Sequence, residues 1–270
     1  EKERFNELVV ELSKQSTQFS NNVLDSTKAF EMYITDKVGM SNLPESALEL
    51  YSMMAKDKYP DTTPENGPWK VTLDAPSFGP FLQHHPSSEL RKQIHTAYIS
   101  RASSGKHNNI PVINKILSLK KEKAAMLGYN SFAELSLSKK MASDTNEIKE
   151  LLEMIHSKGK KHALEELKSL KEFVKEETGS DNLELWDMGF WSERLKEKEL
   201  NFKEKELKKY FPLDSVLEGL FRIANNLFSI DIKEIDLNKD NIDVWDKEVK
   251  FFKIYENGKH ISSFFLDPFS

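Results

Sequence analysis

Cysteine is absent from the chain, which excludes disulfides, thiolate metal ligands and thiol catalysis together. There is no run of about 18 apolar residues, so no membrane-crossing helix is expected, and no secretory or transit-type segment is visible at the start. The ten glycines are scattered singly, so no phosphate-cradling loop is present, and the G-x-S-x-G turn of serine hydrolases is missing too. None of the seven histidines (His84, His85, His95, His107, His156, His162 and His260) is followed by Glu. These residues therefore lack the HExxH helix, in which one turn brings two imidazoles to one zinc ion and places a Glu beside them to activate water. Charge of one sign is nowhere concentrated. The 39 basic and 44 acidic residues interleave at a net charge of −5, and Lys120-Lys121 and Lys160-Lys161 sit among Glu residues, as on a solvated helix face. A nucleic-acid surface, which needs a concentrated positive field, is not expected.

What is present is helical periodicity. At 270 residues and 38% hydrophobic content the chain can bury a real core in one large or two ordinary domains. Phe5, Leu8, Leu12, Phe19, Val23 and Phe30 form one stripe of a long amphipathic helix, and 45–56 resumes the pattern with Leu48, Tyr51 and Met54. Three prolines and a glycine between Pro60 and Pro68 mark a connector, followed by a short strand over 69–73 at a sheet edge. Helices are expected from 86, with Leu90, Ile94, Ala97 and Tyr98 inward, over 110–127 with Gly128 as its left-handed stop, and over 131–141. Asp144 with Glu147 has capping-box spacing and opens a long helix to Gly179, whose apolar face runs through Ile148, Leu151, Leu152, Ile155, Leu164, Leu167, Leu170 and Val174. Two more helical pieces, 183–200 and 204–210, precede a helix over 215–228 that is apolar on two sides and therefore reads as buried.

Only after Ile230 does the period become alternating. Segments 249–256 and 259–267 are separated by Asn257-Gly258, the pair suited to a type I′ hairpin turn. A turn-set register puts Glu256 opposite Lys259, Ile254 opposite Ile261 and Phe251 opposite Phe264. The second strand closes on Phe264-Phe265-Leu266-Asp267-Pro268-Phe269, apolar on both faces, and one hairpin cannot cover two faces. The fold class is thus mainly α, with a small β part at the C-terminal end.

Chemistry-bearing constellations are few. Glu153 and His156, with His162 and Glu165 further along the same helix, have the nearest metal-like spacing, but Leu152 and Ile155 carry the apolar stripe and turn Glu153 to the flank, as in an ordinary surface pair. His84-His85-Pro86 reads as a solvated loop before a helix. Trp186-Asp187 with Phe190-Trp191 could line a groove, although four-residue aromatic spacing is more typical of core. The residues alone identify no active site.

Seven stretches in order, "FSNNVLDSTKAFEMYITD", "GPWKVTLDAPSF", "LRKQIHTAYISRASSG", "KEKAAMLGYNSFAELSLSKKMA", "LWDMGFWSERLKEKEL", "KKYFPLDSVLEGLFRIANNLFSI" and "VWDKEVKFFKIYENGKHISSFFLDPFS", resemble the thimet oligopeptidase family of zinc metallopeptidases, most closely its oligopeptidase A branch with plant cytosolic and organellar members. The resemblance implies a helical half-shell of a zincin-type oligopeptidase walling a deep substrate channel. It divides the chain into a helical channel-wall region, 1–229, and the start of a catalytic domain, 230–270. It implies hydrolysis of short peptides in the whole enzyme, by a zinc-activated water with a Glu as base. The segment like "FFLDPFS" is followed in the family by the HExxH helix and a further Glu ligand, so this chain is expected to be an incomplete piece that needs the C-terminal catalytic half as partner. On that expectation no catalytic or zinc-binding residue carries over, and the chain alone is inactive. The substrate-facing residues are unassigned save for edge-strand candidates Phe264, Phe265 and Asp267, because a sheet edge can hold an extended peptide by backbone hydrogen bonds. The compartment implied is the cytosol or the matrix of a mitochondrion or plastid, without secretion. The alternative is a truncated paralogue that binds peptides or a partner protein without catalysis.

Overall fold

The structure, a computed structural model, describes residues 1–201, 210–239 and 242–268. The chain divides into two compact units, Glu1–Asn201 and Phe202–Ser270. The first contains α1 (Lys2–Lys28), β1 (Met32–Ile34), α2 (Glu45–Ala55), β2 (Trp69–Val71), α3 (Ala75–His84), α4 (Ser88–Ile99), α5 (Ile110–Met126), α6 (Phe132–Leu137), α7 (Thr145–Thr178) and α8 (Met188–Leu200). The second contains α9 (Leu213–Phe228), β3 (Ile230–Glu234), β4 (Lys250–Glu256) and β5 (Lys259–Leu266). The expected mainly helical class with a C-terminal β part is the class observed. The expected helical piece at 204–210 lies outside the described residues but for Tyr210.

The core of the first unit gathers where α2, α3 and α4 meet the two-stranded sheet of β1 and β2, around Tyr51, Trp69, Phe81 and Ile94. Ile34 and Trp69 are partners in that antiparallel pair. The buried Tyr51 ring keeps its hydroxyl satisfied by donating to the Ser77 carbonyl at 2.6 Å, as a buried polar atom must, and burial pushes its pKa up. Neither β1 nor α3 was expected from the sequence. Helix α3 contains Gly79 and an interior Pro80, which argue against a helix locally, and its burial of Phe81 outweighs that propensity. α1 packs on α5 through Leu8, Leu119 and Ala124, with Asn22 donating to Asn109 Oδ1 at 2.8 Å and Asn109 donating to the Phe19 carbonyl at 3.0 Å.

α7 begins as its cap spacing predicts. Asp144 Oδ1 accepts from the backbone N–H groups of Asn146 and Glu147, and Glu147 accepts in return from the N–H and hydroxyl of Ser143, which lowers its pKa. Its expected inward stripe is only partly inward. Leu170, Phe173 and Val174 are buried, with Phe173 edge-on to Trp191 of α8 at 6.0 Å, whereas Leu151, Leu152, Ile155 and Leu164 are exposed.

Two expectations for the second unit are corrected. α9 is not a buried helix: none of its residues is buried. One side carries Phe221, whose ring meets Phe252 of β4 at 5.1 Å, while Leu213, Val216, Leu220, Ile223 and Leu227 on the other are exposed. The hairpin turn forms as expected, with Asn257 at φ +50° and Gly258 at φ +78°, and Glu256 pairs with Lys259. Beyond Tyr255–His260, however, a bulge takes up Ile261, so Ile254 faces Ser262, Phe252 faces Phe264 and Phe251 faces Phe265. One extra residue on β5 shifts every later partner by one, a step that turn chemistry alone does not reveal.

Candidate functional site

The sheet order is β3-β4-β5, so β5 lies at the edge among the described residues. Which of its backbone groups face outward follows from the ladder. Ile235 donates its N–H to the Phe251 carbonyl, so the Phe251 backbone points to β3 and that of Phe252 points to β5. Its partner Phe264 therefore points inward, and Ser263 and Phe265 present N–H and C=O groups at the edge. An extended segment could add there by main-chain hydrogen bonds.

The two faces of the strand differ. Phe264 stacks on Phe252 at 5.2 Å, on the face that Phe221 of α9 partly covers. Phe265 lies on the opposite face with Phe251 at 4.7 Å and Trp245 at 5.5 Å between ring centroids. Trp245 is 66% exposed and Phe265 43%. The Trp245 indole N–H donates to Asp267 Oδ2 at 2.8 Å, which fixes the ring over the strand end. The structure thus brings Phe265 and Asp267 together through Trp245 and puts Phe264 on the other face. Trp245 was missed in the sequence because it lies in a turn-rich segment with no period to mark it.

The other sequence candidates sit elsewhere. Glu153, His156, His162 and Glu165 all lie on the exposed stretch of α7, with His162 Nδ1 3.5 Å from Glu165 Oε2. His84 ends α3, but His85 is not solvated: it is 1% exposed and stacks on Phe81 at 4.5 Å. Its Nδ1 accepts from the Ser87 N–H at 3.2 Å, and its Nε2 has no hydrogen-bond partner. Burial, with Arg91 nearby, lowers its pKa to about 4.

The cluster at Trp186, Asp187, Phe190 and Trp191 is a packed junction. Asp187 Oδ1 accepts from Arg91 Nε at 3.0 Å and Nη2 at 2.5 Å, and both carboxylate oxygens lie 2.8 Å from Ser88 Oγ, which in turn accepts from the Trp186 indole at 3.0 Å. Arg91 also donates to the His85 carbonyl. The Phe190 ring lies between two guanidiniums, Arg91 at 4.0 Å and Arg194 at 3.3 Å from its centroid. This buried ion pair joins residues 96 positions apart and carried no sequence signal.

The donor set of the described residues does not fit a zinc ion. Among the described residues no three of His, Asp and Glu come together in a way that could hold a metal, whereas a catalytic zinc needs three protein ligands. Among the same residues, no helix is long and apolar enough to cross a membrane.

The sequence profile described as Peptidase family M3 matches residues 81–270. The chain is 44% identical over 273 residues to organellar oligopeptidase A, chloroplastic/mitochondrial, of Arabidopsis thaliana, covering all of this chain and 34% of that protein. It is 42% identical over 273 residues to the probable cytosolic oligopeptidase A of the same plant, again over the whole chain and 38% of the relative. To oligopeptidase A of Salmonella typhimurium it is 34% identical over 274 residues, covering 99% of this chain and 39% of the relative. The chain therefore spans little more than a third of the length of these curated relatives.

Proposed function

Because the chain belongs to Peptidase family M3, we propose that it is the channel-wall part of a zinc-dependent oligopeptidase that cleaves short peptides, and that the zinc site lies in sequence these residues do not include. The observation that carries this reading is the match along the entire chain to oligopeptidases A. In the whole enzyme the metal supplies a polarised carbonyl and an activated water. The residues here confine and orient peptide. Residues 1–229 serve as wall and 230–270 begin the catalytic part, a division by role that differs from the division by compactness at Asn201. The free edge of β5 takes an extended segment, with Phe264, Phe265 and Asp267 beside it. The names of the relatives support a cytosolic or organellar matrix location, without secretion.

The test is hydrolysis of a quenched fluorescent peptide by the 270-residue chain, with zinc and with a chelator. The expected result is no cleavage by the chain alone, and chelator-sensitive cleavage once it is co-expressed with the C-terminal remainder of an oligopeptidase A. Chelator-sensitive cleavage by the chain alone would overturn the proposal. Peptide binding without cleavage in the presence of that remainder would favour the non-catalytic binding module instead.

A further inference from the structure

The described residues of the second unit bury only Val249 and Phe252 among their hydrophobic side chains. A unit this small with two buried apolar residues lacks the burial that stable small domains achieve. Among its described residues the outer stripe of α9 is left uncovered. Leu213, Val216, Leu220, Ile223 and Leu227 follow one another at steps of three, four, three and four, and each is between 39% and 69% exposed. That alternation is the seam by which one helix seats its side chains between those of another.

We infer that this stripe is the seat of an apolar helix from the part of oligopeptidases A that lies outside the matched region, an inference that rests on the channel-wall reading above. Two observations select this occupant over a second copy of the chain. The positions flanking the seam are Leu217, Gly219, Ala224 and Asn226, none of them charged. Two-helix pairs exposed to water set their partner and orientation with charged residues at those places, so α9 is built to be enclosed on more than its seam. The relatives also have more than half of their length outside the matched part, from which such a cover could come.

The chain is co-expressed with the remainder of the Arabidopsis organellar relative, as wild type and as the double variant Leu220→Asp, Ile223→Asp. Both substitutions lie on the exposed side of α9, away from Phe221 and the sheet, and circular dichroism checks that the helix content is kept. The expected result is at least a tenfold loss of co-purified remainder and of peptide cleavage in the variant. As a readout independent of the variant's folding, α9 amides of the wild type should gain hydrogen-exchange protection in the complex. Equal association of wild type and variant, or unchanged α9 exchange, would overturn the inference and leave the channel-wall reading standing. A wild-type chain that forms a dimer which the variant cannot form, with no place for the remainder, would overturn it in favour of self-association. Failure of the wild type to associate at all would remove the channel-wall reading and this inference with it.

Discussion

Below pH about 6.5 the unfolded chain takes up a proton at residue 85 that the folded chain refuses until about pH 4. The unfolded state then binds more protons, so stability falls as pH drops through this window and is flat above it. A shift of this size corresponds to at most about 3 kcal/mol. Urea unfolding of the first unit between pH 7.5 and 5 should show this slope, and His85→Gln should flatten it; an equal slope in both proteins would assign the effect to other groups. The Arg91–Asp187 pair sets a second expectation. Asp187→Ala leaves a guanidinium at 2% exposure with the His85 carbonyl as its hydrogen-bond acceptor and the Phe190 ring beside it, a loss of about 3–5 kcal/mol, whereas Ser88→Ala removes one hydrogen bond to the carboxylate and one acceptor for Trp186, about 1–2 kcal/mol. The same urea titration distinguishes them. None of this was legible in the sequence, where His85 looked like a loop residue and Arg91 and Asp187 stood 96 apart. Burial is a property of what folds over a residue, and local spacing does not contain it.

Elements were legible where their causes are local. The start of α7 is set by Asp144 and Glu147 within four positions, and the stop at Gly179 by one positive φ of +79°, so both could be read directly. Asp144→Ala should cost about 1 kcal/mol and fray the first turn, seen as faster amide exchange at Asn146 and Glu147. The turn of the β hairpin was legible for the same reason. Gly258 sits at φ +78°, and Gly258→Val, whose branched side chain is poorly tolerated there, should destabilise the hairpin by about 1–2 kcal/mol, checked by exchange of β4 and β5 amides. The bulge at Ile261 was not legible, because the turn pair sets only the partners beside it and one extra residue on a strand leaves no local signal. α3 was hidden by its own prolines, and its cause lies in Tyr51 and the core around it.

At the scale of the whole chain, the change of period after Ile230 announced the helical and β parts, but the sequence could not say which apolar stripes find a cover. α9 was expected to be buried and is not, since apolar residues on two sides record what a helix is suited to and not what lies beside it. The two units should therefore unfold separately. The second, with Val249 and Phe252 as its buried apolar residues, is expected to melt below the first and to bind an apolar dye before the first unit unfolds; a single sharp transition without dye binding would contradict this. The edge of β5 has one more consequence. Near the turn it carries Lys259, His260, Ser262 and Ser263, polar groups that discourage stacking, but its far end carries Phe264, Phe265 and Leu266. Such an end, with open backbone groups and stacked rings, is a template for like strands. A stock of this chain left concentrated and alone should seed fibrils from that end, so whatever segment occupies the edge would also be what keeps the protein in solution.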